Sequence, residues 1–317
     1  MLKTRLAVAV LALAVAPLAL AQAWPSKPVR IVIAFAPGGA TDVAVRSIAD
    51  PVSQAIGQPV VIENRPGASG SVAAEAVIRA GADGYTFLAT ADSLASTPHL
   101  FKLAFDPLKD LAPVVQLTLQ PVVLAAHPSL GVGSLKELIE ALKKAPNTSY
   151  ATSGAGTQQH FTAEWFGKTV GVTLNHVPYK GGGQAITDLV GGQVKLGSLG
   201  STPVIPHHKA GKLKILAQST AKRAASLPDV PTYREQGVDL EMDQWLAVFA
   251  PAGTPREAVV RMNAEIVKAL AMPAIRDRYA TAALEPVGGS PEQLGAVLKR
   301  DYEKFGRLTK ELKLRVD

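Results

Sequence analysis

The stretch Val29–Asp42 reads VRIVIAFAPGGATD and predicts a strand, a tight glycine turn and a helix start in direct succession. Thr41 or Asp42 is of the residue type that caps a helix. Beyond the turn, apolar residues recur with helical spacing at Val45, Ile48, Ala49, Val52 and Ile56. Such a junction leaves unpaired N–H groups at the positive end of a helix, where an anion can bind. Many α/β crossovers use glycine simply to turn, so this loop alone leaves both interpretations open.

A second loop of the same kind follows a short predicted strand at 149–151. Its candidate ligand-binding residues are small, polar or glycine, namely Ser153, Gly154, Gly156, Thr157 and Gln158. Thr157 is a candidate cap for the helix that follows. Two such loops, far apart in the chain, favour an anion site over a purely structural turn. A third loop carries Lys180, which either faces an anion or is solvated.

The first residues have the features of an export signal. A basic start (Met1–Arg5), an apolar run (Leu6–Leu20) and the small segment Ala21–Ala23 predict a secretory signal peptide cleaved after Ala23. The apolar run is short for a membrane anchor, which needs about 20 such residues. The chain has no cysteine, so the exported protein has to be stabilised by its core rather than by disulfides.

The composition argues against nucleic-acid binding. The formal charge is +7, and loss of the signal peptide with Lys3 and Arg5 lowers it by two. Lysine and arginine are spread along the chain, and aromatic residues make up only 5%. A nucleic-acid surface needs clustered basic residues interleaved with aromatics. We therefore expect a soluble protein with a mild attraction for anions.

Strand-like runs alternate with helical patterns along the chain, which predicts an α/β fold with mostly parallel sheets. The predicted strands are 29–35, 59–63, 85–89, 114–118, 122–126, 149–151, 174–177, 195–198 and 214–218. Capping-box spacing predicts helix starts at Ser134, Thr254 and Ser290. Two extended segments, Pro121–His127 and Leu246–Gly253, are placed where the chain would cross between two lobes and return.

The sequence contains no motif that carries catalysis or holds a cofactor. It has no G-x-S-x-G elbow, P-loop or H-E-x-x-H helix, and Gly154 and Gly156 lack the third glycine of a dinucleotide fingerprint. The adjacent His207 and His208 point apart on a helix, so surface histidines are expected rather than a metal pair. We predict no catalytic residue, no metal and no cofactor. The alternative is an exported hydrolase or isomerase that uses a cleft.

Nine motifs follow one another in a fixed order. They are WPSKPVRIVI (24–33), APGGATD (36–42), VIENRPGASG (61–70), DGYT (83–86), HVPYKGG (176–182), TDLVGGQV (187–194), KAGKLK (209–214), LPDVPT (227–232) and APAGTP (250–255). Over essentially the whole mature length, the chain resembles the Bug-type solute receptors. These are the periplasmic substrate-binding components related to tripartite tricarboxylate transporters.

The resemblance implies an α/β, type II periplasmic-binding-protein fold, in which two α/β lobes joined by two crossing strands close on a ligand in the cleft between them. The expected domains are a signal peptide (1–23), a first lobe (24–122 plus 248–317) and a second lobe (123–247). The ligand is expected to be a small carboxylate or a related amide.

The resemblance also implies which residues bind that ligand. One carboxylate is expected at main-chain groups of Ala40, Thr41 and Asp42. The loop Ser153–Gln158 and a neighbouring turn at Ser93 complete the site that the resemblance implies. From its place in the third loop, Lys180 is added to the expected ligand-binding residues. After the segment GGQV (191–194), many members of the family carry an acidic or Asn-type turn. This chain has Leu199 there, and the side chain of leucine cannot accept a hydrogen bond. Ligand identity is therefore not carried over through this position.

We therefore expect a monomeric periplasmic receptor for a mono- or dicarboxylate. It would serve membrane transporter subunits or present its ligand to a sensor domain, and the sequence does not separate the two roles.

Overall fold

The structure, a computed structural model, describes residues 24–315. The predicted signal peptide, 1–23, lies outside this range. The strands are β1 (Val29–Ile33), β2 (Val60–Asn64), β3 (Thr86–Ala91), β4 (Leu111–Ala126), β5 (Thr148–Thr152), β6 (Leu174–Pro178), β7 (Leu196–Gly200), β8 (Lys214–Gln218), β9 (Asp243–Pro251) and β10 (Glu285–Gly288). The α-helices are α1 (Ala40–Ile56), α2 (Ser71–Arg79), α3 (Ser93–Ser96), α4 (Leu135–Lys144), α5 (Gln158–Val170), α6 (Gly182–Val190), α7 (Ser201–Lys209), α8 (Arg256–Ala271), α9 (Pro273–Thr281) and α10 (Pro291–Leu312).

The first lobe is built on a sheet with strand order β2-β1-β3-β9-β4, and β10 also pairs with β4. Strand β1 runs parallel to β2 and β3, whereas β9 runs antiparallel to β3 and β4. Parallel neighbours require crossovers, which α1 and α2 supply. All residues of β3 are buried, as expected of a central strand.

The second lobe is built on a sheet with order β4-β7-β5-β6, and β8 also pairs with β4. Strand β5 is parallel to β6 and β7, and β4 is antiparallel to β7 and β8. The end of β4, from Val122 to Ala126, therefore has partners on both sides. It lies in the middle of the second sheet.

Strand β4 belongs to both sheets and corrects the prediction of two strands at 114–118 and 122–126. It is one continuous strand of 16 residues. Pro121 is opposite Asp243 of β9, and the next residue, Val122, is opposite Gly200 of β7. Proline donates no ladder hydrogen bond, so it is tolerated where a strand changes partner.

The end of the chain holds two strands that were not predicted. The segment Leu246–Gly253 was predicted to cross between lobes, but most of it is the strand β9, which pairs with β3 and β4 in the first sheet. Strand β10 is short and pairs with β4 through few residues. Its Pro286 and two exposed neighbours give no strand-like alternation.

The predicted apolar face of α1 is confirmed, because Val45, Ile48, Val52 and Ile56 are all buried in the main apolar core. Burial of a large aliphatic side chain contributes about 1.5–3 kcal/mol. This packing fixes α1 against its sheet. It thereby fixes the position of the glycine turn at its start.

Of the three helix caps predicted from capping-box spacing, two are confirmed. Ser134 accepts from Glu137 N (3.2 Å), and Ser290 forms a complete capping box with Gln293. Thr254 was predicted to cap α8, but its hydroxyl donates to Pro251 O (2.7 Å), and Pro255 is the residue before the helix. No helix among residues 24–315 is long and apolar enough to span a bilayer.

Candidate functional site

A narrow cleft with a cavity volume of about 30 Å³ lies between the two lobes. It is lined by Phe35, Gly39, Ala40, Thr41, Ala91, Gln120, Ser153, Gln159, Gly182, Gly200, Pro203, Gln244 and Leu246. Of the predicted site residues, this cleft brings together Ala40, Thr41 and Ser153. None of the lining residues has a charged side chain. This volume is far smaller than that of a typical ligand pocket, so a bound ligand requires the two lobes to lie further apart than they do here.

The start of α1 forms one wall of the cleft. The N-cap is Gly39, with an extended backbone and no side-chain cap, so the prediction that Thr41 or Asp42 caps this helix is wrong. Both residues lie in the first helical turn and are buried. Within residues 24–315, the N–H groups of Gly39, Ala40 and Thr41 donate to no protein acceptor. They are available to an anion, as the sequence predicted.

Two further helices begin at the same cleft. A Cβ built on Gly39 would lie 3.6 Å from the backbone nitrogen of Gly182, the first residue of α6. Gly200 is the N-cap of α7, and Gly200 and Pro203 both line the cleft. The positive ends of α1, α6 and α7 therefore converge on one uncharged space. Such an arrangement attracts a negatively charged group.

The carboxylate of Asp42 serves the protein rather than the cleft. Its Oδ2 accepts from Gly38 N (3.1 Å), and its Oδ1 accepts from Arg46 Nε and Asn64 Nδ2 (both 2.9 Å). This carboxylate tightens the turn before α1 and holds α1 to the end of β2. Asp42 does not line the cleft. Its contribution is to position the N–H groups of its neighbours.

The loop Ser153–Gln158 lies where the sequence predicted, but most of its N–H groups are already used. Ser153 N donates to Gln159 Oε1 (2.8 Å), and Gly154 N donates to Thr152 Oγ1 (3.2 Å). Gly156 N donates to His160 Nδ1 (3.1 Å). Thr157 caps α5 as predicted, accepting from His160 N (3.4 Å).

Gly156, Thr157 and Gln158 do not line the cleft. Gly156 instead packs against the first lobe, where a Cβ built on it would lie 2.9 Å from Leu100 Cδ1. Gln158 N donates to Asp92 Oδ1 (3.4 Å), and Gln158 Nε2 donates to the carbonyl of Asp243 (2.6 Å). These residues join the two lobes around the cleft.

Asp92 lies at the end of β3 and is completely buried. Burial raises the pKa of its carboxyl well above the ordinary range, and the backbone N–H of Gln158 opposes that shift. Its Oδ2 has no hydrogen-bond partner among the described residues. A first-lobe acid therefore meets the N-terminus of the second-lobe helix α5.

Ser93 and Lys180 were also predicted to bind the ligand. Ser93 is fully buried beside Asp92 and does not line the cleft, and its hydroxyl has no partner in the described part of the chain. Lys180 is exposed. With Ser153 and Gly154 it lines a separate opening between the lobes, next to Ser69 and Phe101. The structure thus places both residues near the cleft but not on its walls.

Three glutamines on the cleft wall were not predicted. Gln120 lies on β4, Gln244 lies opposite it on β9, and Gln159 lies in the first turn of α5. All three are buried, and Gln120 and Gln159 each donate to Gln244. They lie far apart in the sequence and match no motif. Only the pairing of β4 with β9 would have indicated two of them.

Leu199 was expected at a turn facing the ligand. It is instead fully buried within β7, in an apolar cluster with Val123 and Val204 of the second lobe. The strand ends one residue later, and Gly200 rather than Leu199 lines the cleft. Leu199 is therefore a core residue with no bearing on the ligand.

The two lobes are in direct contact beside the cleft. Ser69 Oγ donates to the carbonyl of Ala155, and Ser96 Oγ donates to the carbonyl of Gly156. In the same region, Ala36 N donates to Lys180 O (3.1 Å). The structure therefore has the closed arrangement of the lobes.

Residues 24–315 contain no group of three or more metal-ligating side chains. His207 and His208 lie near the end of α7, and His207 lines a groove on the protein's outer surface rather than the cleft.

Residues 44–314 match the family model described as "Tripartite tricarboxylate transporter family receptor". The chain belongs to this receptor family. The protein BugT of Bordetella pertussis is 33% identical over 92% of this chain and 91% of its own length. The predicted membership among Bug-type receptors is confirmed.

Solved structures of other receptors have the same fold. One is "R. palustris Rpa4515 with adipate", which has a TM-score of 0.89 and 33% identity and covers 92% of this chain and 99% of its own. Another is MatC (Rpa3494) from Rhodopseudomonas palustris with bound malate, with a TM-score of 0.86, 30% identity and coverage of 90% and 99%. The predicted type II periplasmic-binding-protein fold is confirmed.

Proposed function

We propose that this receptor captures a small organic carboxylate in the periplasm for a tripartite tricarboxylate-type transporter. The observation that carries the proposal is the convergence of three helix N-termini on a cleft without charged side chains. Free N–H groups of Gly39, Ala40 and Thr41 would receive one carboxylate. The adipate and malate bound to the two related structures support this ligand class.

The energetics require the whole closed cleft. One helix N-terminus contributes about 0.3–1 kcal/mol, and up to about 2 kcal/mol when partly buried. A micromolar dissociation constant corresponds to about 8 kcal/mol. Direct N–H hydrogen bonds to a charged oxygen, each about 1.5–3 kcal/mol, supply the remainder once water is excluded. Binding and closure are therefore expected to be coupled.

The lobe boundaries form part of the proposal. We place the first lobe at 24–122 plus 248–317 and the second at 123–247, following the sequence. The change of β4 partner at Val122 supports the first boundary. The register of β9 supports an earlier return, at Asp243, because this residue already pairs with Pro121.

We further propose that residues 1–23 are a cleaved export signal and that the receptor acts as a monomer without catalytic activity. The cleft walls carry amides, hydroxyls and backbone N–H groups, but no general base or nucleophile–base pair. Delivery to transporter subunits and presentation to a sensor domain would both use the outer surface of the closed lobes.

The first test is a thermal-shift panel on the purified mature chain. Monocarboxylates, dicarboxylates and their amides are compared with uncharged polyols of similar size. A ligand that binds only the folded state at 100 times its dissociation constant adds about 2.7 kcal/mol to the free energy of unfolding. We expect a raised midpoint with at least one carboxylate and none with polyols. A panel without any carboxylate response would contradict the proposal.

A further inference from the structure

The orientation of the three cleft glutamines is fixed by backbone donors. The backbone N–H of Ser153 donates to Gln159 (2.8 Å), and that of Thr202 donates to Gln120 (3.4 Å). An N–H group can meet only the oxygen of a carboxamide. The amide nitrogens of Gln120 and Gln159 must therefore point the other way.

Both of those nitrogens point to the same atom. Gln120 Nε2 and Gln159 Nε2 donate to Gln244 Oε1, at 2.7 and 3.4 Å. Two donors fill the two lone pairs of that oxygen. The Gln244 side chain is thereby held with its oxygen toward its two neighbours and its NH₂ group away from them.

The glutamine cluster consequently offers donors to the cleft. Each carboxamide nitrogen has two N–H bonds, and those of Gln120 and Gln159 use one each on Gln244. Among the described residues, the nitrogen of Gln244 donates to no protein acceptor within hydrogen-bond distance, so its N–H groups remain available to a ligand. Asp92 does not line the cleft. These N–H groups can bond to an oxygen acceptor of the ligand, whereas an ammonium group, which is itself a donor, finds no acceptor among them.

Gly200 keeps this cluster in place. A Cβ built on Gly200 would lie 2.6 Å from both Gln120 Nε2 and Gln244 Oε1. Any side chain there would break the contact between the two amides. The backbone at the start of α7 therefore packs directly on the pair, and the amides are fixed before a ligand arrives.

We propose that Gln244, held by Gln120 and Gln159, is the residue that selects the second functional group of the ligand. Its NH₂ group donates to a carboxylate or carbonyl oxygen of the ligand and has no acceptor to offer an ammonium group. This inference rests on the proposed carboxylate function and narrows it to diacids and oxo acids rather than amino acids. A site built from buried donors discriminates strongly, because a wrong group leaves those donors unpaired.

The test uses matched ligands that differ only at one end. Succinate, glutarate and adipate are compared with 4-aminobutyrate, 5-aminopentanoate and 6-aminohexanoate, and with butyrate, pentanoate and hexanoate, by isothermal titration calorimetry. We expect at least one diacid to bind at least 10-fold more tightly than its monoacid and at least 100-fold more tightly than its ω-amino acid. Equal affinity for a diacid and its ω-amino acid would overturn the inference. Binding of no carboxylate at all would instead overturn the proposed function.

The variant Gln244→Glu tests the residue itself. A carboxylate keeps an oxygen for the Gln120 and Gln159 amides and replaces the donor with an acceptor. We expect the ratio of diacid to ω-amino-acid affinity to fall at least 100-fold. Gln193→Glu, an exposed position on the second lobe, makes the same charge change and should leave the ratio unaltered. An unaltered ratio in Gln244→Glu would overturn the assignment. If that variant does not fold, the ligand panel on the natural chain decides.

Discussion

Below the loop Ser153–Gln158, two histidines are buried as a stacked pair. The rings of His160 and His176 lie 3.9 Å apart, and Tyr150 stacks on His176. Burial lowers the pKa of His160 to about 3, and the neighbouring His176 adds to the shift. Burial likewise lowers the pKa of His176 to about 4. Both rings are therefore neutral, and His160 Nδ1 is free to accept from Gly156 N.

This stack predicts a loss of stability in mild acid. The pKa of each histidine is lower in the folded than in the unfolded state, so below pH 6.5 protons bind preferentially to the unfolded chain. The contribution of each histidine to the free energy of unfolding is therefore complete above pH 6.5 and is lost as the pH falls toward 4. Between pH 7.5 and 5 the loss is about 2 kcal/mol per histidine. The free energy of unfolding is measured by urea denaturation at several pH values for the natural chain and for the double variant His160→Asn plus His176→Gln. We expect it to fall more steeply with decreasing pH in the natural chain.

The two amides replace the ring nitrogens as hydrogen-bonding groups but do not titrate. The double variant is needed as a reference because burial raises the pKa values of Asp92 and of Glu164, which accepts from the Tyr150 hydroxyl. These two shifts increase the free energy of unfolding as the pH falls, opposite to the effect of the histidines. Substitution of His207, outside the stack, controls for loss of a surface histidine. Parallel pH profiles for the natural chain and the double variant would contradict the prediction.

For single residues, the sequence indicates where free backbone N–H groups lie but not which side chains contact one another around them. The helix start at Ala40 was recognisable because glycines precede an apolar helical pattern. The partners of Asp42 were not, because Arg46 and Asn64 reach it only after α1 packs beside β2. The glutamine cluster was missed for the same reason. Its members come from three elements, and no local spacing marks them.

At the scale of elements, α6 and the turn before α1 approach each other unusually closely. A Cβ built on Gly183 would overlap the carbonyl oxygen of Pro37 in the other lobe. Gly183 lies in the first turn of α6, where alanine is the better helix former by about 1 kcal/mol. The glycine is therefore required for closure and not for the stability of its own lobe.

We predict that Gly183→Ala reduces ligand affinity at least 10-fold while leaving the ligand-free unfolding midpoint unchanged or higher. Isothermal titration calorimetry with the carboxylate that binds most tightly measures the affinity. Small-angle X-ray scattering measures whether the radius of gyration still decreases when the ligand binds. The matched control is Gly295→Ala in α10, where a built Cβ makes an ordinary 3.5 Å contact with Pro113. Normal affinity in Gly183→Ala, or an equal loss in the control, would contradict the prediction.

Elements with local signals were predicted best. The alternation of strands and helices gave the α/β class and the confirmed caps at Ser134, Thr157 and Ser290. The sequence predicted two strands, 114–118 and 122–126, where the structure has the single strand β4. Its continuity depends on β9 on one side and β7 on the other, which are distant in sequence.

In the molecule as a whole, hydrogen bonds join the two lobes at several points around a polar cleft. Ser69, Ser96 and the backbone of Ala36 supply three of them, and Asp92 accepts another from Gln158. Each net bond contributes about 0.5–1.5 kcal/mol to the balance between the closed and the open lobes. A bound anion shifts this balance only if it contacts both lobes, because equal affinity for the open and closed states shifts nothing.

Ser69→Ala and Ser96→Ala should therefore weaken ligand binding without weakening the fold. Each substitution removes a bond that exists only when the lobes are closed, so we expect about a 2- to 10-fold loss of affinity. Ligand-free urea unfolding should remain within about 0.5 kcal/mol of the natural chain. Ser47→Ala, which removes a bond within α1 to Val43 O (2.8 Å), should leave the affinity unchanged. If the two closure serines instead lowered the ligand-free stability and left the affinity intact, the open state would already contain these contacts, and closure would not be coupled to binding.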